Sequence, residues 1–334
     1  MICVVTGASG HVGANLVRGL LRRGDRVRAL VHVDTAALSG LQVDLVRGDV
    51  CDPSSLRAAF EGADVVYHLA ARIAISPDTE SLVESVNVAG TRHVVQACLD
   101  CRVRRLVHFS SIHAIAEAPA GCPADESVSL VAASSCPSYD GSKAEGERFV
   151  IDMLQAGLDA VVVAPTAVVG PYDYRPSYFG RVLLLLATGR LRVLVRGGFN
   201  WVDARDVADG AIAAADRAPA GQKYVLSGHW LTLGQVAELA SSLAGTPRPL
   251  GAVPLGLARA CAPAGEVLAR LARREPLFTR YAVSALSQHR FVSHEKATRE
   301  LGYVPRPFEQ TLADTLEWFA QRGCLPGPER SAGS

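Results

Sequence analysis

Short apolar runs recur along the first half of the chain, each followed by a stretch in which apolar residues return every three or four positions. Residues 2–5, 27–31, 43–46, 65–69, 106–109 and 160–164 are the runs. Residues 12–23 (closing at Gly24), 53–60, 86–99 and 142–155 carry the helical period. Strands of this length alternating with helices predict parallel β-α-β units and a sheet covered on both faces. Right-handed crossovers then give an α/β fold built on a doubly wound parallel sheet. Past Pro165 the rhythm breaks into aromatic, glycine-rich and proline-punctuated segments. This divides the chain into residues 1–164 joined by about 200–226, a smaller C-terminal α/β domain of about 165–199 and 227–322, and a frayed tail at 323–334.

Composition narrows the class. The 334 residues suffice for two packed domains, and 34 basic against 33 acidic side chains give a net charge of +1. That balance predicts no nucleic acid partner and no membrane surface. The amino terminus enters a strand at once, without the charged and apolar regions of a signal peptide, and the apolar run 182–187 is too short to span a bilayer. A soluble, cytoplasmic location is expected. The eight cysteines show no metal-ligand spacing; Cys98-Leu99-Asp100-Cys101 lacks a second half and reads as buried reduced thiols. No helix carries paired histidines, so no metal is expected.

Candidate chemistry begins with Tyr139 and Lys143, four residues apart in a chain with only three lysines. Chance gives roughly 0.07 such pairs for this composition. On a helix the two share a face one turn apart, and an ammonium beside a phenol favours the phenolate. The first strand runs into Thr6-Gly7-Ala8-Ser9-Gly10-His11-Val12-Gly13, a G-x-x-G-x-x-G loop opening a helix. Its glycines allow close approach of a pyrophosphate, and the helix start offers unpaired N–H donors. Gly48-Asp49-Val50 closes the third strand, where a carboxylate can accept from an adenine amino group. His68-Leu69-Ala70-Ala71 closes the fourth, with small residues against which a cofactor can lie, and Phe109-Ser110-Ser111 the next. Ligands bind at this carboxyl edge of open parallel sheets.

These pieces resemble the extended short-chain dehydrogenase/reductase (NAD-dependent epimerase/dehydratase) family. Asn87-Val88-Ala89-Gly90-Thr91, Pro165-Thr166-Ala167-Val168, Asn200 to Asp206 and Ser293 to Gly302 extend the match over almost the whole chain. Its pattern is closest to dihydroflavonol reductase-like, 3β-hydroxysteroid dehydrogenase-like and hopanoid-associated epimerase-like members. The resemblance implies a Rossmann-type dinucleotide domain with a smaller substrate domain. It also implies Tyr139 as general acid/base, Lys143 on the nicotinamide ribose and lowering the tyrosine pKa, and Ser111 on the substrate oxygen. Cofactor contacts are implied at Gly7, Ser9, Gly10, His11, Val12, Gly13, His32, Asp49, Val50, Leu69, Ala70, Ala71, Asn87, Lys143, Pro165 and Val168. Asn87 would prop the fourth-strand region. A homodimer through helices 86–99 and 142–155 is a further family expectation.

The implied cofactor is NAD(P)(H). Val31 stands where NAD enzymes place an acid and His32 where NADP enzymes of this kind place an arginine, so the reading leans to NADP, with Asp34 within reach of the ribose. Thr166 replaces the asparagine with which sugar-nucleotide epimerases contact the diphosphate. Tyr172, Tyr174, Tyr178, Phe179, Phe199 and Trp201 form a set suited either to an aromatic or polycyclic ligand or to ordinary core packing. The expected function is therefore NAD(P)-dependent interconversion of a secondary alcohol and a ketone on a mainly apolar small molecule. A sugar-nucleotide epimerase or dehydratase, with Arg175, Arg181 and Arg196 as a phosphate clamp, is the first alternative. A non-catalytic nicotinamide-binding regulator is the second.

Overall fold

The structure, a computed structural model, describes residues 1–73, 80–119, 121–132, 138–271 and 279–325. The first half runs β1 (Ile2–Thr6), α1 (His11–Arg23), β2 (Arg26–Val31), β3 (Asp44–Arg47), α2 (Pro53–Phe60), β4 (Val65–His68), α3 (Glu80–Val83), α4 (Gly90–Asp100), β5 (Arg105–Phe109), α5 (Ser138–Asp152) and β6 (Ala160–Pro165). It continues with β7 (Ala167–Val169), α6 (Tyr178–Ala187), β8 (Val193–Val195), β9 (Gly198–Asp203), α7 (Ala204–Arg217), β10 (Lys223–Leu226), β11 (His229–Thr232), α8 (Leu233–Ala244) and β12 (Gly251–Val253). The last helices are α9 (Leu255–Leu271), α10 (Arg280–Ala285), α11 (Glu295–Leu301) and α12 (Phe308–Gln321). Among the described residues no helix is long and apolar enough to cross a membrane.

Seven of the described strands form one parallel sheet in the order β3-β2-β1-β4-β5-β6-β10. The period-2 alternation of side chains divides its core. Cys3, Val5, Ala29, Tyr67, Val107 and Val163 face α1 and α7, whose Leu16, Leu20, Val207 and Ala211 complete one apolar layer. Val4, Leu30, Val66, Leu106 and Val162 face the other way, onto Leu56 and Phe60 of α2 and Val94 of α4. Strands buried on both faces explain the near-continuous apolar runs of the sequence. The order reverses direction between β1 and β4, and this switch point brings the glycine loop beside the end of β4.

A three-stranded sheet, β7-β9-β11, and the pair β8-β12 build the second unit with α6, α8 and α12. The chain expected to rejoin the first unit from about residue 200 does so with Val202, which packs into the first core, and then along α7. Residues up to Asp203 belong to β9 of the small sheet, whereas α7 lies on the large one. Ala297 and Leu301 of α11 also pack into the first core. Helix 142–155 begins four residues earlier than expected, at Ser138, and gives way to a 3-10 turn, Met153–Ala156. Helix 86–99 is entered through a π-helical segment, Glu84–Ala89. Cys136, Pro137 and the tail from 326 onward lie outside the described residues.

Candidate active site

The glycine loop meets the geometric demands of a phosphate cradle. Gly7 has φ +68°, and a Cβ there would lie 2.8 Å from the Ala70 backbone nitrogen. A Cβ on Gly13 would collide with the Gly7 carbonyl, so only hydrogen fits where loop and helix cross. Helix α1 starts at Gly10 with no side-chain cap, which leaves its first N–H groups and positive dipole end directed outward. Ser9 and His11 hold the loop from either side. The Ser9 hydroxyl donates to the Asp34 carbonyl, and the His11 ring reaches the carbonyls of Gly170 and Pro171 at 3.0 and 3.2 Å. A dinucleotide pyrophosphate fits this chemistry.

A buried hydrogen-bond chain links the loop to the helix bearing Tyr139. Thr91 Oγ1 donates to the Asn87 carbonyl at 2.6 Å, so toward His68 Nε2, 3.0 Å away, it can only accept. His68 therefore carries its proton on Nε2, and its bare Nδ1 accepts from Thr6 Oγ1 at 2.9 Å. The Thr6 oxygen in turn accepts from the Leu69 and Ala70 amides. Burial next to Lys143 pushes the His68 pKa down to about 3, in keeping with a neutral ring. Asn87, inside the π turn, accepts from the Arg72 amide at 2.7 Å and donates to the Arg72 carbonyl and to Ser142 Oγ, both at 2.9 Å. Ser142 donates onward to the Tyr139 carbonyl. The side chain of Asn87 thus props the chain after β4 against α5.

Ser111, Tyr139 and Lys143 converge at the end of β5. The Ser111 oxygen accepts the His113 amide, and its own hydroxyl hydrogen-bonds Tyr139. Lys143, 7% exposed, donates from Nζ to the Phe109 carbonyl at 2.5 Å. The expected depression of the Tyr139 pKa is not produced by the chain's own groups. Burial, with Asp140 adding to it, lifts the phenol to about 12 against the lowering by Ser111. Burial likewise lowers Lys143 to about 8, opposed by the charge of Glu147. At neutral pH the pair is a phenol beside an ammonium, poised to give a proton.

Several site residues carry no sequence signal beyond local spacing. His113 stacks edge-on against Tyr139 and lies 5.9 Å from the ring of Tyr281; burial takes its pKa to about 4. Tyr281, from α10, donates to Asp140 at 2.7 Å, and burial raises that carboxyl to about 6. Tyr281 also lines a cavity of about 420 Å³ with Arg259, Arg280, Ser284 and Gln288. This brings the second unit to within one residue of Tyr139.

The remaining expected positions divide. Leu69, Ala70 and Ala71 follow β4 beside Gly7, and Pro165 and Val168 border β6 and β7. Asp49 accepts the Cys51 amide and lies 3.7 Å from His32, whose side chain is 75% exposed. Val50 turns its side chain into the core against Gly90, leaving only its backbone for a ligand. The aromatic set is core: Phe179 packs on Phe199 and Trp201 with centroids 4.9 Å away, and Trp201 is 1% exposed with its indole donating to the Leu231 carbonyl. The gap beside Tyr178 and Phe179 measures about 10 Å³, too small for a ligand. Tyr172 and Tyr174 take the Arg18 guanidinium on their faces instead. Of the presumed phosphate clamp, Arg175 pairs with Asp34 at 2.7 Å and Arg196 is exposed beyond β8. Cys98 is buried, but its neighbour Cys101 only half so, and Cys51, Cys122, Cys261 and Cys324 are exposed.

Comparison with known proteins agrees with this geometry. Residues 3–227 match the NAD dependent epimerase/dehydratase family. The chain is 39% identical over 97% of its length, and all of the relative's, to sterol demethylase protein B of Methylococcus capsulatus. It is 32% identical to the 4-hydroxy-2-methyl-3-oxo-4-farnesyl-3,4-dihydroquinoline-1-oxide ketoreductase of Stigmatella aurantiaca, covering 98% of this chain and 99% of that one. The crystal structure of gox2253 superimposes with a TM-score of 0.85 at 34% identity, over 97% of this chain and 99% of the other. With its Rossmann-type sheet, glycine cradle and Ser-Tyr-Lys constellation, the chain belongs to the NAD dependent epimerase/dehydratase family, as an NAD(P)-dependent oxidoreductase.

Proposed function

We propose that the protein interconverts a secondary alcohol and a ketone on a mainly apolar small molecule. The observation that carries this is the Ser111–Tyr139 hydrogen bond with Lys143 fixed one turn away, because three groups converge where a single substrate oxygen can sit. A nicotinamide dinucleotide, held along Gly7 to Gly13, Asp49 and the chain after β4, supplies or takes up the hydride when bound. Tyr139, protonated, gives its proton to the carbonyl oxygen during reduction and recovers it in the reverse direction. Ser111 donates to the same oxygen and steadies its developing charge. Lys143 holds a positive charge behind the phenol and stabilises the phenolate left after transfer. The relatives named above act, by their names, on a sterol and on a farnesylated quinoline ketone, and both names support an apolar substrate.

NADP is the favoured form of the cofactor. The buried Val31 brings no carboxylate to the end of β2, and His32 beyond it is exposed. Turnover of NADPH and NADH with a panel of polycyclic and alkyl ketones tests both readings. Tyr139→Phe is expected to lower kcat by about 10²-fold or more with little change in cofactor affinity. Tightly retained NAD together with calorimetric binding of a UDP-sugar would replace the reading with epimerisation.

A further inference from the structure

We propose that the buried Glu147–Lys223 pair is a positioning device for Lys143. Tyr139, Lys143 and Glu147 follow one another at four-residue spacing on α5 and so share one face over two turns. Glu147 is 3% exposed, and both of its oxygens are engaged. Lys223 Nζ stands 2.7 Å from Oε1, and the Ser110 hydroxyl donates to Oε2. Ser110 lies between Phe109, whose carbonyl accepts Lys143, and Ser111, which bonds Tyr139. One carboxylate therefore clamps the three-residue strand end against which the other groups are aligned.

Lys223 arrives from the far edge of the sheet. His68, His108, Val162 and Lys223 are register partners across β4, β5, β6 and β10, forming a row beneath α5. The groups that face Lys143 are thus His68, His108, Lys223 and Glu147. Burial keeps both imidazoles neutral, and Lys223 is another cation, so Glu147 is the negative charge that sustains the Lys143 ammonium in a dry setting. A buried ion pair adds little to stability over a packed apolar pair. Its placement one turn beyond Lys143 gives it a use that an apolar pair would not have.

The inference deepens the proposed function and rests on that reading for its kinetic arm alone. With three lysines in the chain, ¹³Cε-lysine NMR of the full-length protein resolves each titration, and Lys223→Met and Lys296→Arg assign them. Lys143 is expected to titrate near 8 in the native protein. In Glu147→Gln, which keeps the shape and removes the charge, its midpoint should fall by about one unit or more. The alkaline limb of ketone reduction should move down with it, while KM for the ketone stays within about twofold. If Glu147→Gln does not fold, the charge-balanced Glu147→Gln/Lys223→Met double variant is expected to show a smaller downward shift, because losing the Lys223 cation offsets part of the loss of the carboxylate. An unmoved Lys143 midpoint in a folded variant overturns the proposal, as does loss of fold in both variants. A shifted midpoint in a protein that reduces no ketone sinks the proposed function and leaves the positioning role standing.

Discussion

His108 is the residue whose chemistry is least expected from its place. It sits mid-sheet with its ring 5.5 Å from that of His68, and neither ring nitrogen has a partner among the described residues. Burial and the neighbouring Lys143 hold its pKa well below the ordinary value. His108→Leu removes an unsatisfied polar group at similar volume and should raise Tm by a few degrees in calorimetry. An unchanged or lower Tm would mean that the imidazole makes a bond of its own. The buried histidines also set an acid limit. His68, His113, His289 and His294 are likewise lowered from 6.5, so the unfolded chain binds more protons than the folded one below that pH. Their contribution is fully present above 6.5 and is lost as the pH falls toward about 4 for His113 and about 3 for His68. Asp140, raised to about 6, works in the opposite direction between its ordinary value and 6. With more histidines than raised carboxyls in this cluster, Tm should drop between pH 7.5 and 5.

At the level of elements, the π turn that carries Asn87 matters most. A π segment shifts the register of a helix locally, and here it turns Asn87 toward both Arg72 and Ser142. Asn87→Ala should loosen the chain after β4 and raise the Kd for NAD(P)H about tenfold in a fluorescence titration, with a smaller effect on Tm. An unchanged Kd would reduce Asn87 to scaffold. Much of this level was legible in the sequence. The strand runs, the glycine loop and the Tyr139–Lys143 spacing are local patterns, and local patterns survive folding. Glu147 follows the same four-residue spacing and could have been found by extending it one more turn. Lys223 and Tyr281 could not, because the sheet order and domain packing that bring them in are long-range. The aromatic set stayed open between ligand site and core because a tyrosine- and phenylalanine-rich stretch looks alike as either. The sign of the Tyr139 shift depended on how deeply α5 is buried, a property that spacing does not carry.

In the whole molecule, one ionic knot ties the two units where α7 starts. Asp203 caps α7 and holds Arg205, which also reaches Asp314 of α12 at 2.7 Å. Arg306 meets the buried Asp206 carboxylate through its backbone N–H and its guanidinium, at 2.8 and 2.7 Å. Removing the cation strands a carboxylate that burial already disfavours. Arg306→Leu should cost on the order of 3 kcal/mol in urea unfolding, and Asp206→Asn/Arg306→Leu should regain part of it. If the two changes were additive, the knot would be an ordinary surface contact.

The scarcity of lysine also has a consequence for the outer surface. Lys143 is buried, Lys223 is partly buried against Glu147, and Lys296 points inward to the Gln222 side chain and the Lys223 carbonyl. The cationic exterior is therefore guanidinium, which amine-directed reagents do not touch. Acylation or reductive methylation of the folded protein will modify the terminal amine first, and any lysine it reaches afterwards lies on the row beneath α5 or beside it. At Lys143, a generic surface-labelling reaction becomes a probe of how often α5 lifts from the sheet.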